Sequence, residues 1–466
     1  MELKKLPNVI LFIFPRFHFS LLSSFSLLIS NLPPSLNALI FIMLYNPKII
    51  SLSIFSILLL SIFHLYYHLP LLYFKYCSTS NLFFFFPPPL SLSSSSPSSS
   101  PSPLPPLPPF LTSPPLLPLK RIRFEEGCDV TRGRWIRDPD APYYTNETCW
   151  AIQGHQNCMK FGRPNMEFLK WRWKPDGCEL PLFDPVAFLE IVRGKSIAFV
   201  GDSLARNQMQ SLICLLSKVE YPEDMSVTSD PNLKTMYYKS FEFTIYFFWS
   251  PFLVEADDKQ TSVWNVHLDR VDKTWYTHLR KFNYLIISSG NWFTRPSLYY
   301  RRRKLVGCNY CHIGKKLERI TLYDANQKAF QTAFWAITNS RQFDGMTILR
   351  SSSPNHFENG KWDRGGDCKR TAPIKEHEIR WENDDEMKVY YKQLEQFIKA
   401  KETAKGKGLE FRLLDTTHAM LLRPDGHPSK YGHLPNANVT LYNDCVHWCL
   451  PGPIDMWNHL LLQILK

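Results

Sequence analysis

The sequence predicts an α/β fold, a doubly wound parallel sheet with a disulfide-stapled N-terminal cap. Three observations predict it. Five short apolar runs beyond residue 195 end at polar, turn-rich segments, with helical patterns between several of them; this is the order that a parallel sheet with crossover helices requires. One run, IAFVGDSLARNQ at 197–208, passes from an apolar strand through Gly201-Asp202-Ser203 directly into a helix. Ten of the eleven cysteines follow Gly127, and four of them lie between Cys128 and Cys178, in a stretch rich in Trp, Pro and Gly with little periodicity.

In chain order, residues 1–48 read as a cytosolic tail. Residues 49–74 are long and apolar enough to span a bilayer. Lys48 precedes them, which keeps the N-terminal side cytosolic, and no small-residue cleavage site follows, so the span is read as a retained type II signal anchor. Residues 8–30 are apolar too, but Pro15, Arg16 and His18 interrupt them. A second span there would place the cysteine-rich domain in the cytosol. Met43 is therefore read as the natural start and residues 1–42 as a mis-called extension. Residues 77–119 form a Ser/Pro-rich stem: 13 of the chain's 36 prolines lie between Pro87 and Pro118, too little apolar surface to order a core.

Residues 120–466 have globular composition and suffice for one large lumenal domain. The chain carries +12, of which +8 belongs to this domain, spread without a basic stripe, so nucleic acid is excluded as a partner. An even set of cysteines beyond an anchor reads as a disulfide framework. Cys308-x-x-Cys311-His312 is the rival zinc pattern, but no second pair stands at finger spacing, so no metal is expected. Sequons at Asn146 and Asn438 fit a lumenal domain.

Within the domain, strands are read at Ser196–Val200, Phe243–Trp249, Tyr284–Ser288, Met346–Arg350 and Glu410–Leu414, and helices at Arg206–Ser217, Trp275–Lys281, Ile320–Thr338 and Glu386–Ala404. Functional loops belong at the strand C-termini. Ser203 stands at the first of these, where the following helix presents unpaired N–H groups. Asp444-Cys445-Val446-His447, 241 residues further on, supplies a general base and a carboxylate to orient it. The pair points to serine acyl transfer; the bland alternative is that a serine at this place is only a helix cap. Gly201 permits close backbone approach, and the Ser203 N–H is one oxyanion donor. Asp202 fixes the turn or reacts, and Arg206 and Asn207 brace the serine loop. Asp425 and His427, in Asp-Gly-His-Pro, form a rival dyad whose Gly/Pro setting favours a structural turn. His312, His356 and His418 read as structural or rim residues. Trp292, Trp362, Trp448 and Trp457 read as core, with one or two free to stack on sugars.

GDSLARNQ at 201–208, SPNHFENGKWDRGGDC at 353–368, LRPDGHPSKYG at 422–432 and DCVHWCLPGPIDMWN at 444–458 together resemble the plant trichome birefringence-like family of polysaccharide O-acetyltransferases. The likeness runs from about Gly127 to the C-terminus. SSGNWFTRPSLYY at 288–300 and GCNYC at 307–311 resemble the xyloglucan acetyltransferase subgroup. The resemblance implies an SGNH-esterase-like fold and a triad of Ser203, Asp444 and His447. It also implies an Asn291 oxyanion donor, although many relatives carry His there. It implies disulfides Cys128–Cys178 and Cys149–Cys214, with Cys445 and Cys449 each tied to an earlier cysteine. The implied activity is O-acetylation of a cell-wall polysaccharide, xyloglucan galactose first, by a Golgi type II membrane protein. No cofactor is bound, but an acetyl donor is required, acetyl-CoA or another. The rivals are an acetyl esterase of the same fold and a non-catalytic wall-polysaccharide binding protein.

Overall fold

The computed structural model describes residues 129–258, 262–310, 317–379 and 385–466. The tail, the expected span at 49–74, the stem, Cys128, Cys311 and His312 lie outside them. Among the described residues no helix is long and apolar enough to cross a membrane.

The cap is built on two antiparallel strands, β1 (Gly133–Arg137) and β2 (Trp171–Pro175). Their register sets Trp135 opposite Trp173, with ring centroids 5.7 Å apart edge to face. The Trp135 indole N–H reaches the Ala419 carbonyl at 2.8 Å, so the cap is hydrogen-bonded to the domain it covers.

Helix α1 (Pro185–Ile191) starts where Asp184 accepts from the Val186 and Ala187 N–H groups and proline stands in the first turn. There follow β3 (Ser196–Gly201), α2 (Ser203–Leu216), β4 (Glu223–Asp224), β5 (Leu233–Tyr238) and β6 (Phe243–Trp249). Next come β7 (Val254–Asp257), β8 (Trp264–Val271), α3 (Lys273–Tyr276), β9 (Tyr284–Ser288), β10 (Ser297–Arg301) and β11 (Lys304–Asn309). The chain closes with α4 (Leu322–Thr338), β12 (Met346–Arg350), α5 (Asp385–Lys405), β13 (Glu410–Leu414), α6 (Thr417–Leu421) and α7 (Asp455–Leu465).

The main sheet runs β13-β12-β9-β3-β6-β5-β4. The five strands read from the sequence are its five parallel strands, and β5 and β4 extend it antiparallel. Central β3 is buried throughout, as parallel strands covered on both faces are. Ile197 and Phe199 point into the core shared with α2 and α7; Ala198 and Val200 point into the core shared with α4 and α5. The strand order reverses between β3 and β9, and such switch points open a crevice at the strand C-termini. Ser203 and Asn291 follow those two strands.

Several elements differ from the sequence reading. The Trp275–Lys281 helix is two pieces, α3 capped by Asp272 and a 3-10 turn at Leu279–Lys281. Helix α2 begins at Ser203 and α4 at Leu322, where Thr321 accepts from the Asp324 N–H. A second sheet, β11-β10-β8-β7, packs a third apolar core with Phe252, Val266, Phe293 and Tyr299. It went unread because β10 enters it parallel to β8, with β9 of the main sheet lying between the two in the chain.

Cys149 bridges Cys214, Cys158 bridges Cys449, and Cys368 bridges Cys445. Cys178 and Cys308 are disulfide-bonded as well. Asn438 is exposed and Asn146 half-buried.

Candidate active site

The turn after β3 depends on glycine. A Cβ on Gly201 would sit 1.7 Å from the Ser288 carbonyl oxygen of β9, and its φ of +156° disfavours a side chain. Asp202 then joins two loops. One carboxylate oxygen accepts from the Leu204 N–H at 3.0 Å, capping α2; the other accepts from the Gly290 N–H at 3.2 Å. Burial raises the Asp202 pKa, while the Arg350 guanidinium and these hydrogen bonds oppose that rise. Both oxygens are engaged in holding the turn, so Asp202 is a joint and not a reacting group. The Ala205 and Arg206 N–H groups bond to the Asp202 carbonyl at 3.1 and 3.4 Å. Of the first turn, the Ser203 N–H makes no hydrogen bond among the described residues, as helix N-termini leave such groups free.

Asp444 and His447 form a dyad. His447 Nδ1–H donates to an Asp444 oxygen at 2.7 Å, and the other oxygen accepts from the Val446 and His447 N–H groups at 3.1 and 2.9 Å. Burial pushes the Asp444 carboxyl up, but the His447 charge and these bonds win and hold it well below the usual carboxylate range. Burial likewise pushes His447 down, and Asp444 reverses it, so the imidazole ends above its ordinary 6.5. His447 Nε2 is buried with no hydrogen-bond partner among the described residues.

Three contacts fix this segment. Asp444 and Ser429 exchange backbone hydrogen bonds at 2.9 and 3.0 Å. His427 Nδ1–H donates to the His447 carbonyl at 2.7 Å. Asn207, one turn along α2 from Ser203, accepts from the Trp448 N–H at 2.9 Å and donates to the Trp448 carbonyl at 3.3 Å. The helix that begins with Ser203 is thereby bonded to the residue after His447, and Asp202 and His447 sense each other's charge.

The rival dyad does not form. Both Asp425 oxygens go to the Arg423 guanidinium, at 2.8 and 3.0 Å, in a fully buried pair. His427 instead sits between the His447 carbonyl and His356, whose Nδ1 lies 2.7 Å from His427 Nε2. Asn291 opens a 3-10 turn after β9 beside the Gly290 that Asp202 holds. The Arg206 side chain is half-buried and stacked 5.2 Å over Trp249, and it makes no hydrogen bond to the serine loop among the described residues. Trp448 and Trp457 are core, Trp292 is half-buried and Trp362 is 46% exposed. His356 is structural, its Nε2 lying 3.1 Å from the Leu421 carbonyl oxygen, and His418 lies near the Trp173 ring. A residue without any sequence signal also joins the site: the His155 ring, from the cap, lies 5.2 Å from that of His447. Among the described residues no group of three or more His, Cys, Asp or Glu is arranged to hold a metal ion.

Residues 180–464 match the GDSL/SGNH-like acyl-esterase family found in Pmr5 and Cas1p, and residues 126–179 match the PMR5 N-terminal domain. The chain is 54% identical to protein trichome birefringence-like 19 of Arabidopsis thaliana over 353 residues, covering 74% of this chain and 82% of the relative. It is 41% identical to xyloglucan O-acetyltransferase 4 of Populus trichocarpa over 357 residues, 75% and 84% of the two chains. It is 40% identical to xyloglucan O-acetyltransferase 2 of Arabidopsis thaliana over 353 residues, 74% and 84%. With a nucleophile-type turn at the switch point of its sheet and these relatives, the chain belongs to the trichome birefringence-like family, plant proteins of the GDSL/SGNH acyl-esterase fold that include xyloglucan O-acetyltransferases.

Proposed function

We propose that this protein transfers acetyl groups, through an acyl-Ser203 intermediate, to hydroxyls of a cell-wall polysaccharide, with xyloglucan side-chain galactose as acceptor. The observation that carries the reading is the Asp444–His447 hydrogen bond, held against the Ser203 helix by Asn207 and Trp448. In the first half-reaction Ser203 Oγ attacks the acetyl carbonyl of the donor and its proton passes to His447 Nε2. The leaving group departs with that proton. The negative oxygen faces the Ser203 N–H and the Asn291 side chain. In the second half-reaction a sugar hydroxyl attacks the acyl carbon. His447 takes the hydroxyl proton and returns it to Ser203 Oγ as the ester bond breaks. The acetyl donor, acetyl-CoA or another, is a substrate and not a resident cofactor.

The acceptor side lies towards the second sheet. Asn309, within GCNYC, donates to the Phe293 carbonyl at 3.1 Å and so ties β11 to the turn that carries Asn291. Half-buried Trp249, Trp292 and Trp264 stand edge to face at 5.1 and 5.3 Å, suited to the apolar faces of a neutral sugar. Arg301–Lys304 are exposed and are not needed by a neutral glucan. A Golgi anchor at 49–74 completes the proposal.

The test uses the purified full-length protein, an acetyl donor and a panel of wall oligosaccharides, read by mass, with Ser203→Ala beside it. Acetylated xyloglucan fragments, little changed by salt, are expected, with no acyl-protein and no product from Ser203→Ala. Near-normal activity of that variant refutes the acyl-serine. Activity confined to acidic pectin with steep salt loss refutes the xyloglucan acceptor, because exposed charges are screened beyond about 8 Å at physiological ionic strength.

A further inference from the structure

His155 is placed by more than chance packing. It lies in a one-turn 3-10 segment of the cap, Gly154–Gln156. Three contacts clamp that segment to the chain around His447. The Leu450 N–H donates to the Gln156 carbonyl at 2.9 Å. Cys158 is disulfide-bonded to Cys449. Gly432 lies so close that a Cβ on it would come within 2.6 Å of the His155 carbonyl oxygen. The outcome is an imidazole edge to face with the catalytic-type imidazole, ring centroids 5.2 Å apart at 75°.

The chemistry of that ring differs from its neighbours'. His356 and His427 each have both ring nitrogens within 3.1 Å of a polar atom of the protein. Neither His155 nitrogen makes a hydrogen bond among the described residues, and the residue is partly exposed. Burial, then the adjacent positive charge of His447 when protonated, lowers its pKa to about 4 against the pull of Asp444. His155 is therefore neutral near neutral pH and stays neutral when His447 takes a proton. A neutral imidazole presents one N–H donor and one lone pair.

We propose that His155 is a catalytic residue of the second half-reaction, hydrogen-bonding the acceptor sugar hydroxyl so that acyl-Ser203 is passed to sugar instead of water. The proposal rests on the acyl-serine reading above. The His155 N–H donates to a lone pair of the attacking oxygen and leaves the hydroxyl proton free to move to His447 Nε2. The new ester bond forms at that oxygen, the Ser203 ester bond breaks, and the same proton ends on Ser203 Oγ. Water makes the same attack, but without the rest of the sugar to hold it against both rings. The cap would then be what distinguishes a transferase from an esterase built on the same triad.

The test compares the full-length wild type with His155→Phe, which keeps an aromatic ring beside His447, and His155→Gln, which restores a donor. Acylation is measured without sugar, using p-nitrophenyl acetate and intact mass. Partition of the acyl group is then measured as the ratio of transfer to hydrolysis with xyloglucan oligosaccharide present. His155→Phe is expected to lose about tenfold in partition ratio, the value of one hydrogen bond, and to lose more in transfer than in acylation. His155→Gln is expected to recover part of that ratio. Wild-type partition in His155→Phe overturns the proposal in favour of ring packing. A parallel fall in acylation and transfer, in both variants, overturns it in favour of an action on His447. A wild type that forms no acyl-Ser203 refutes the acyl-serine reading itself, and this inference falls with it.

Discussion

Asn207 holds the backbone of Trp448 at both its polar groups, its Oδ1 accepting from the N–H at 2.9 Å and its Nδ2 donating to the carbonyl at 3.3 Å. Both residues are fully buried. A primary amide can satisfy both ends of one residue at once; no carboxylate or hydroxyl of that size matches it. The contact spans 241 residues and joins the helix that begins at Ser203 to the residue following His447.

Asn207→Ala leaves a buried N–H and a buried carbonyl unpaired, an expected loss of about 2–4 kcal/mol in stability. Because His447 loses its register with Ser203, acylation should also fall by about 100-fold. Asn207→Asp should be no better, since a carboxylate cannot donate to the Trp448 carbonyl. Thermal melts and p-nitrophenyl acetate acylation check both. Full activity in a stably folded Asn207→Ala would show that the disulfides alone hold the register.

The pH dependence follows from the Asp444–His447 pair. His447 must be neutral to act as base, and its pKa lies above 6.5. Acylation is therefore expected to rise with pH through a midpoint above 6.5 and then level off. Asp444→Asn removes the charge that opposes burial, so the midpoint should move below 6.5 and the plateau fall on the order of 10⁴-fold. Stability runs the other way. The depressed Asp444 pKa contributes stability above 3.8 that is lost as pH falls through the folded value. The raised His447 pKa contributes stability below 6.5 that is lost as pH rises through its folded value. Both contributions are complete between pH 3.8 and 6.5; melts in that window compared with more alkaline pH read the His447 contribution, and compared with acid below pH 3.8 they read the Asp444 contribution.

Asp425→Asn should damage the fold and spare the chemistry. Arg423 is fully buried and stacked 4.4 Å over Trp135 of the cap, and it would lose its carboxylate partner. Breaking one side of a buried pair costs about 3–5 kcal/mol. Acylation per folded molecule, scored beside the melting temperature, is expected to stay within a few-fold of wild type. A stable variant unable to acylate would return Asp425 to the catalytic group.

Removing the Cys158–Cys449 bridge, as the double serine variant, should cost about 2–5 kcal/mol. It also frees the segment bearing His155 from the chain beyond His447. Transfer to sugar should therefore suffer more than acylation by a small ester. Equal losses of both would mean that the bridge stabilises the domain without positioning the cap.

The sequence by itself determined the parallel sheet and the two short motifs at its edge. Those signals are local: an apolar run of strand length that stops at Gly201-Asp202-Ser203 and passes into a helix, and an aspartate three residues before a histidine. Each is set by neighbours within one turn or one strand. Only the tertiary structure decided which groups share the site. Asp425 stood as a rival in a Gly/Pro setting that favours a structural turn, and the fold shows why it is structural: its carboxylate is taken by Arg423. His155 stands in no motif, and it reaches His447 only because the chain returns nearly 300 residues later and is clamped there by Cys158–Cys449. The second sheet was equally hidden, because β10 finds β8 across the main sheet's own β9 rather than through a hairpin. Contacts of that range leave no periodic trace in the sequence; they are fixed by which faces remain to be buried once the local elements have formed.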